Sequence, residues 1–396
     1  MPAIQAKDTI ILALLSITGC GATQGNADAQ DTVSSRIDAL RSKTFVKIES
    51  SQNNSYAIDS TGNVWAWGRY TALGNKPTTF PPVDTLTPVQ VSGISDIQDI
   101  SASIDHVLAL GKDGSVYCWG RNVEHQCSSS SVGYVQAPIK ISMLSDVVRV
   151  AAGGQHSLVS LADGTMMAWG NNTWGELGDG TYISKSTPQK VPGMSDVTEI
   201  ATLVGGSLAV KLDGSAWWWG NMDSCLDPAG ATIPTPTRLT GLSNVVAIAG
   251  GAWHGAALTG DGSVYTFGFN GGGALGIGGG TSSLSCSKPV KVTGIPKAIQ
   301  ITALLNATII LGEDASVWGW GNNPRGTLGI GRVGDVYLPY KNPYLTGIVQ
   351  IAGHNVSGLA LDSKLTSISA WGENTSGQLG DGTKTNRLSP VLVRTP

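Results

Sequence analysis

VRVAAGGQHSLVSLADGTMMAWGNNTWGELGDG, residues 148–180, followed by PQKV at 188–191, holds one complete structural unit of this chain. Short apolar stretches at 148–151, 157–161, 166–169 and 188–191 read as four strands. Asp163-Gly164 between the second and third is a strong hairpin signal, because the preferred two-residue turn needs positive φ at both central positions. The four strands therefore meander antiparallel. The Trp169-Gly170 step recurs as Trp67-Gly68, Trp119-Gly120, Trp219-Gly220, Phe267-Gly268, Trp320-Gly321 and Trp371-Gly372, at intervals of 48 to 53 residues. A unit of this size cannot bury its own apolar face, so the copies must stack in a solenoid or close into a ring. Four-stranded antiparallel units arranged around a channel make a β-propeller. The reading is an all-β fold, a seven-bladed β-propeller of four-stranded antiparallel blades filling residues 44–396 as one domain.

The pattern of Gly153-x-x-His156-Ser-Leu158, then Asp163-Gly164, Trp169-Gly170-x-Asn172, Gly175-x-Leu177-Gly178-x-Gly180 and Pro188-x-x-Val191 resembles the regulator of chromosome condensation repeat. Known members of that family are seven-bladed propellers, and the resemblance covers nearly the whole chain after its first segment. The first unit opens on a strand at 45–48 with no Pro-x-x-Val strand before it, whereas the chain ends on Pro390-Val-Leu-Val393. Pairing of the C-terminal strand with the first blade is therefore expected to close the ring and remove an exposed edge.

Nine of the twelve Trp residues lie at the step or two residues before it: Trp65, Trp67, Trp119, Trp169, Trp217, Trp219, Trp318, Trp320 and Trp371. Period two puts them on one strand face. The other face carries Ala66, Cys118, Ala168, Trp218, Thr266, Gly319 and Ala370, nearly all small, as closely packed blades require. Burial of each Trp removes about 150–250 Å² from water, on the order of 4–6 kcal/mol before entropy, so the nine are expected as core. Trp218 must find extra room or face solvent.

With 53 Gly among 396 residues, 41% hydrophobic and 13% charged, the composition suits turn-rich β structure and not disorder. A net charge of −3 without any Lys/Arg run argues against a nucleic-acid partner. Residues 1–19 are different: Lys7 precedes an apolar run at 9–17, too short for the ~30 Å of a bilayer and of signal-peptide length. Ile17-Thr18-Gly19-Cys20 resembles the bacterial lipoprotein signal, which implies lipidation of Cys20 and a membrane contact through that lipid alone. Gly21, in place of Asp, implies the outer membrane where one exists. A plain secretory signal is the alternative. Residues 20–43 read as lipidated Cys and tether, with Val33, Ile37 and Leu40 at helical spacing.

Antiparallel order sorts the connections into two rims. The Gly-Gly-x-x-His turns and the long Asn-x-x-Gly-x-Leu-Gly loops share one, the Asp-Gly hairpins the other. On the long-loop rim Tyr70, Trp174, Trp253 and Phe269 are candidate anchors for a protein or a surface polymer, set against a role in loop packing. Two loops lose the repeat pattern there, residues 122–131 and 221–231; Arg121 and His125 at the first are added as partner-binding candidates. His106, His156 and His254 share one repeat position and read as structural. No nucleophile elbow, zinc helix, phosphate loop or calcium loop is present. Gly271-x-Gly273-x-x-Gly276 matches a dinucleotide fingerprint but opens no helix. No enzyme activity, cofactor or metal is expected. Cys118, on the small-residue face, reads as a buried thiol, and Cys225 with Cys286 as a conceivable disulfide. The functional expectation is an exported, lipid-anchored, monomeric, non-catalytic binding module at the cell envelope. Two alternatives come from resemblance: guanine-nucleotide exchange on a small GTPase, and inhibition of an enzyme such as a β-lactamase.

Overall fold

A computed structural model describes residues 43–77, 81–127, 133–221, 232–279 and 289–394. The signal segment, Cys20, the tether and the helix expected around Val33, Ile37 and Leu40 lie outside the described residues, as do Cys225 and Cys286. Seven four-stranded antiparallel sheets stand in sequence order, each formed by consecutive strands. Blade 1 runs outward through Phe45–Ser50, Asn54–Asp59, Val64–Gly68 and Thr85–Gln90. The inner strands of blades 2 to 6 are Ile97–Ala102, Val147–Ala152, Val197–Thr202, Val245–Gly250 and Ala298–Ala303. Blade 7 consists of Ile348–His354, Ser357–Asp362, Ile368–Gly372 and Arg387–Leu392. The inner strand of blade 1 packs against those of both blade 2 and blade 7, so the ring is closed.

Burial follows position in the blade. Second strands such as Asn54–Asp59 and His106–Gly111 are buried at every residue, since neighbouring blades cover both faces. Outer strands are half-exposed and carry Pro88, Pro138, Pro188, Pro339 and Pro390, which deny a hydrogen-bond donor to any strand approaching the rim.

The expected closing strand is corrected. Arg387–Leu392 pairs with Ile368–Gly372 in its own blade, and blade 1 has its own outer strand in Thr85–Gln90. Pro88-x-x-Val91 follows the first Trp-Gly step just as Pro390-x-x-Val393 follows the last, so the repeat is in phase from its first strand and no strand is left over. The chain ends meet through side chains and loops instead. Ile48 N–H donates to Gln350 Oε1 at 2.8 Å, Gly382 N–H to the Leu86 carbonyl at 3.0 Å, and Lys384 Nζ lies 2.6 Å from Asp84 Oδ2.

The Trp-Gly step fastens blade to blade. The indole N–H of Trp119 donates to the Ala72 carbonyl (2.9 Å), Trp169 to Gln126 (2.7 Å), Trp219 to Glu176 (2.8 Å), Trp320 to Ala274 (3.0 Å), Trp371 to Thr327 (2.9 Å) and Trp67 to Gln378 (2.9 Å). Each acceptor sits in the long loop of the preceding blade, one residue before the Leu of the Gly-x-Leu-Gly pattern, or before Cys127 in blade 2. Glycine is required on both sides of this contact. Gly170 has φ of 103°, and a Cβ there would lie 2.6 Å from the Gln155 carbonyl oxygen. A Cβ on Gly178 would lie 2.7 Å from Trp219 Nε1, in the indole's place.

Two of the nine expected core tryptophans are not core. Trp217 and Trp318 are half-buried beside the hairpins, each giving its N–H to a serine hydroxyl at 2.9 Å, Ser215 and Ser316 respectively. Trp218 finds its room inside: it is buried against blade 5, whose step residue Phe267 is smaller than the Trp of the other blades.

Candidate functional site

The long-loop rim was expected to carry Tyr70, Arg121, His125, Trp174, Trp253 and Phe269, and the ring separates them into two groups. Tyr70 begins the short turn Tyr70–Ala72 of blade 1, its N–H on Asp84 Oδ1 at 3.3 Å. Arg121 ends the third strand of blade 2 and donates its N–H to the Asp105 carbonyl at 2.7 Å. His125, four residues on, has φ of 59°. Burial raises the Asp105 carboxyl, while Arg69, the Asn53 side chain and Arg121 pull it down. These residues occupy blades 1 and 2.

The second group lies on blades 3 to 5 and converges. Trp174 projects from the long loop of blade 3 and its ring lies against Gly205 in the turn of blade 4, where no Cβ could fit. There it meets Trp253 from the turn of blade 5, ring centroids 6.4 Å apart and planes tilted by 55°, within the range of favourable aromatic pairs. The Phe269 N–H donates to the Trp253 carbonyl at 2.8 Å and steadies that turn. Buried Glu176 accepts the Trp174 N–H at 2.8 Å and fixes the loop; burial pushes its carboxyl up. Trp174 keeps 36% of its surface exposed, as does Leu305 in the next turn, whose carbonyl accepts the Ala252 N–H at 2.9 Å. Leu305 was not visible as a site residue, because an isolated Leu in a turn has no pattern until the ring ties it to Ala252 in the turn of blade 5.

The pair stands at one side of a central channel of about 200 Å³. Lys47, Asp99, Arg149 and Glu199, each the third residue of its inner strand, line it. Lys47 and Asp99 form an ion pair at 2.6 Å, Arg149 and Glu199 one at 3.5 Å. Gln300 exchanges two hydrogen bonds of 2.9 Å with the Ile351 backbone. The channel wall is thus knitted to itself. Among the described residues no group of three or more His, Cys, Asp or Glu is placed to hold a metal ion.

Cys118 is a correction: it is joined to Cys127 by a disulfide and is not a free thiol. The sequence holds the signal in its register. Cys118 stands where Ala168 stands in blade 3, and Cys127 where Leu177 stands, and in the sister blades those positions touch as small residue and Leu. The bridge holds Gln126, whose carbonyl receives both Trp169 Nε1 and the Ser157 hydroxyl. Replacing both cysteines by Ala is expected to lower stability by roughly 2–3 kcal/mol, the loop-closure value for so short a loop. Denaturant midpoints of parent and variant measure it, and equal midpoints would show that the bridge adds nothing. The conceivable Cys225–Cys286 pairing lies outside the described residues.

The regulator of chromosome condensation (RCC1) repeat model matches residues 61–110, 113–160, 163–209, 261–303 and 369–396. A second model of that repeat matches 97–126, 147–175 and 245–274. The ultraviolet-B receptor UVR8 of Arabidopsis thaliana is 35% identical over 153 residues, 38% of this chain and 34% of that protein. The chain therefore spans about a third of this relative's length. Yeast RCC1 (Prp20), in its complex with Kap60, superposes with a TM-score of 0.74 at 19% identity, over 96% of this chain and 90% of that one. Human WBSCR16 superposes with a TM-score of 0.73 at 24% identity, over 81% of this chain and 88% of that one. At these identities the structural likeness concerns the fold alone.

Proposed function

Because the chain belongs to the regulator of chromosome condensation (RCC1) repeat family, we propose that it is a non-catalytic binding propeller that takes a protein or surface polymer on its long-loop rim. The observation that carries this reading is the Trp174 and Trp253 pair. Every step Trp is buried, yet these two meet at the rim with part of their surface in water. Clustered aromatics held by a rigid scaffold are the usual anchors of a binding surface. The complex of yeast RCC1 (Prp20) with Kap60 supports protein binding by this fold. The module is exported and held at the cell envelope by lipid on Cys20; the Cys118–Cys127 bridge supports export, since disulfides persist in oxidising compartments.

Two measurements test this reading. Trp174→Ala with Trp253→Ala is expected to reduce partner cross-linking on intact cells at least tenfold, with a melting temperature within a few degrees of the parent. A large fall in melting temperature would mark both residues as packing. Intact-mass spectrometry of the membrane fraction is expected to show an acylated chain that Cys20→Ser abolishes. An unmodified full-length chain in the soluble fraction would overturn the export reading.

A further inference from the structure

Blade 6 departs from the repeat at four positions on its outer wall. In its outer strand, Val336–Lys341, Tyr340 pairs with Gly319, and the same register position holds Val89, Val290 and Val391 in blades 1, 5 and 7. Leu338, two residues earlier and on the same strand face, replaces Thr87, Thr187 and Thr235 of blades 1, 3 and 4. Tyr344, four residues after Tyr340 in the turn to blade 7, replaces Gly93, Gly193, Gly241 and Gly294 of blades 1, 3, 4 and 5. Arg332, whose carbonyl accepts the Asn323 side chain, stands where Thr181 and Thr383 do the same for Asn172 and Asn374. Each replacement is larger or more apolar than its counterpart.

The four side chains belong to one surface. The Arg332 guanidinium lies 5.7 Å from the centroid of the Tyr340 ring, within cation–π range. The Tyr344 hydroxyl rests against Gly331, the residue before Arg332, where no Cβ could fit. The Gly331 N–H donates to the Leu388 carbonyl at 2.7 Å, which brings exposed Leu388 of blade 7 to the edge of the patch. Tyr340 is 43% exposed, Tyr344 55% and Leu338 60%, and Val333 beside Arg332 is exposed as well. Together these residues leave on the order of 500 Å² of mainly apolar and aromatic surface in water, at the upper end of what a monomer shows. The cations here are already answered. Arg332 lies on Tyr340, and Lys341 acts on Asp314, whose carboxyl the Ser316 hydroxyl and backbone, and then this lysine, hold below its usual range. A copy of the same surface can therefore approach without like-charge repulsion.

We propose that a second copy of this chain docks on the outer wall of blade 6, in place of the monomer expected from the sequence. In the symmetric dimer Val333 and Tyr344 of each copy meet Arg332 and Tyr340 of the other. A two-fold interface needs a patch that complements itself, and this one holds both the cation and the rings that receive it. Tyr and Arg are also the residue types enriched at interface centres. Face to face, two copies bury about 1,000 Å², the area at which a specific interface begins. The long-loop rim plays no part in this contact, so the inference goes beyond the binding reading and does not depend on it.

Sedimentation equilibrium of the full chain carrying Cys20→Ser, at concentrations up to about 100 μM, is expected to show twice the chain mass. Leu338→Thr, Tyr340→Val and Tyr344→Gly together should raise the dissociation constant of the dimer at least about thirtyfold, the effect of losing one interface hot spot. Sister blades carry those residues at the same positions, so the melting temperature should stay within a few degrees of the parent. Trp174→Ala, on the long-loop rim, should leave the constant unchanged. Single-chain mass at about 100 μM would overturn the proposal, as would a dimer indifferent to the triple variant or one that Trp174→Ala dissociates. A dimer that forms only after deletion of residues 21–42 would give the wall to that segment of the same chain, and would overturn it equally. Should the triple variant melt early, Arg332→Thr, the residue of blades 3 and 7, decides by the same measurement.

Discussion

Acidification from pH 6.5 to pH 4 is expected to remove on the order of 10 kcal/mol of stability, comparable to the roughly 5–15 kcal/mol that holds a typical domain folded. The main source is three fully buried imidazoles, to which His354, lowered by burial to about 4, adds. The Ser207 hydroxyl gives its one proton to the Glu176 carbonyl at 2.7 Å, so its oxygen must accept from His156 Nε2–H at 2.9 Å. Nδ1 of His156 is then bare, has no partner, and lies against Gly153. The pairs of His106 with Ser157 and His254 with Thr308 are built alike, their hydroxyls bonded to the Gln126 and Ala274 carbonyls. A second ring proton would find no acceptor at His106 or His156, while at His254 the Ala307 backbone favours the charged ring in part. Burial therefore lowers His106 and His156 to about 3 and His254 to about 4.

An unfolded histidine titrates near 6.5, well above these folded values. The stability from the neutral folded rings is complete above that pH and is lost as pH falls toward 4 and 3. Each ring contributes about 1.4 kcal/mol per pH unit in that window, the three together about 4. Glu176 and Asp105, both raised by burial, work in the opposite direction and offset part of this. The hairpin carboxylates such as Asp163, lowered by the Thr165 backbone and hydroxyl, lose their contribution only at lower pH. Urea midpoints between pH 7 and pH 4.5 test the expectation. Blade 1 has Asn54 at the histidine position, its Nδ2 on the Arg69 carbonyl at 2.7 Å, so His156→Asn should fold and lose about a quarter of the acid sensitivity. A midpoint independent of pH across that range would sink the idea.

Trp320→Ala is the single substitution expected to cost most, about 3–5 kcal/mol, for a fully buried aromatic cut back to a methyl group. The side chain fills the seam between blades 5 and 6 with Ala256, Leu258, Ile301 and Ile310, and its N–H holds the Ala274 carbonyl. Trp320→Phe separates the two contributions. The Ala274 carbonyl keeps the Thr308 hydroxyl as donor at 3.0 Å, so the loss should be only about 1–2 kcal/mol. Equilibrium denaturation of both variants measures the difference. Equal losses would mean that the hydrogen bond, and not the packing, carries the seam; losses under about 1 kcal/mol for both would mean the step is not structural at all.

Blade number, strand order and the two rims were legible in the chain because each is a local property repeated seven times. Trp169-Gly170 needs only its own strand and turn to be recognised, and Asp163-Gly164 needs only its two residues. The phase of the repeat was harder, since Pro88-x-x-Val91 follows a long loop after Trp67-Gly68 and its partner strand had to be chosen. Among the site residues, Trp174 and Trp253 could be marked one by one as unexplained aromatics. Their contact could not, being a meeting of two loops 79 residues apart that depends on Gly205 between them.

The sequence by itself determined that seven like units stack with a Trp or Phe at every interface, because period and residue type are written along the covalent chain. Only the tertiary structure decided which cysteines pair, which ring nitrogen of each buried histidine carries the proton, and which tryptophans meet at the rim. Each of these depends on the distance between groups on different strands or blades, and that distance exists only once the ring has closed.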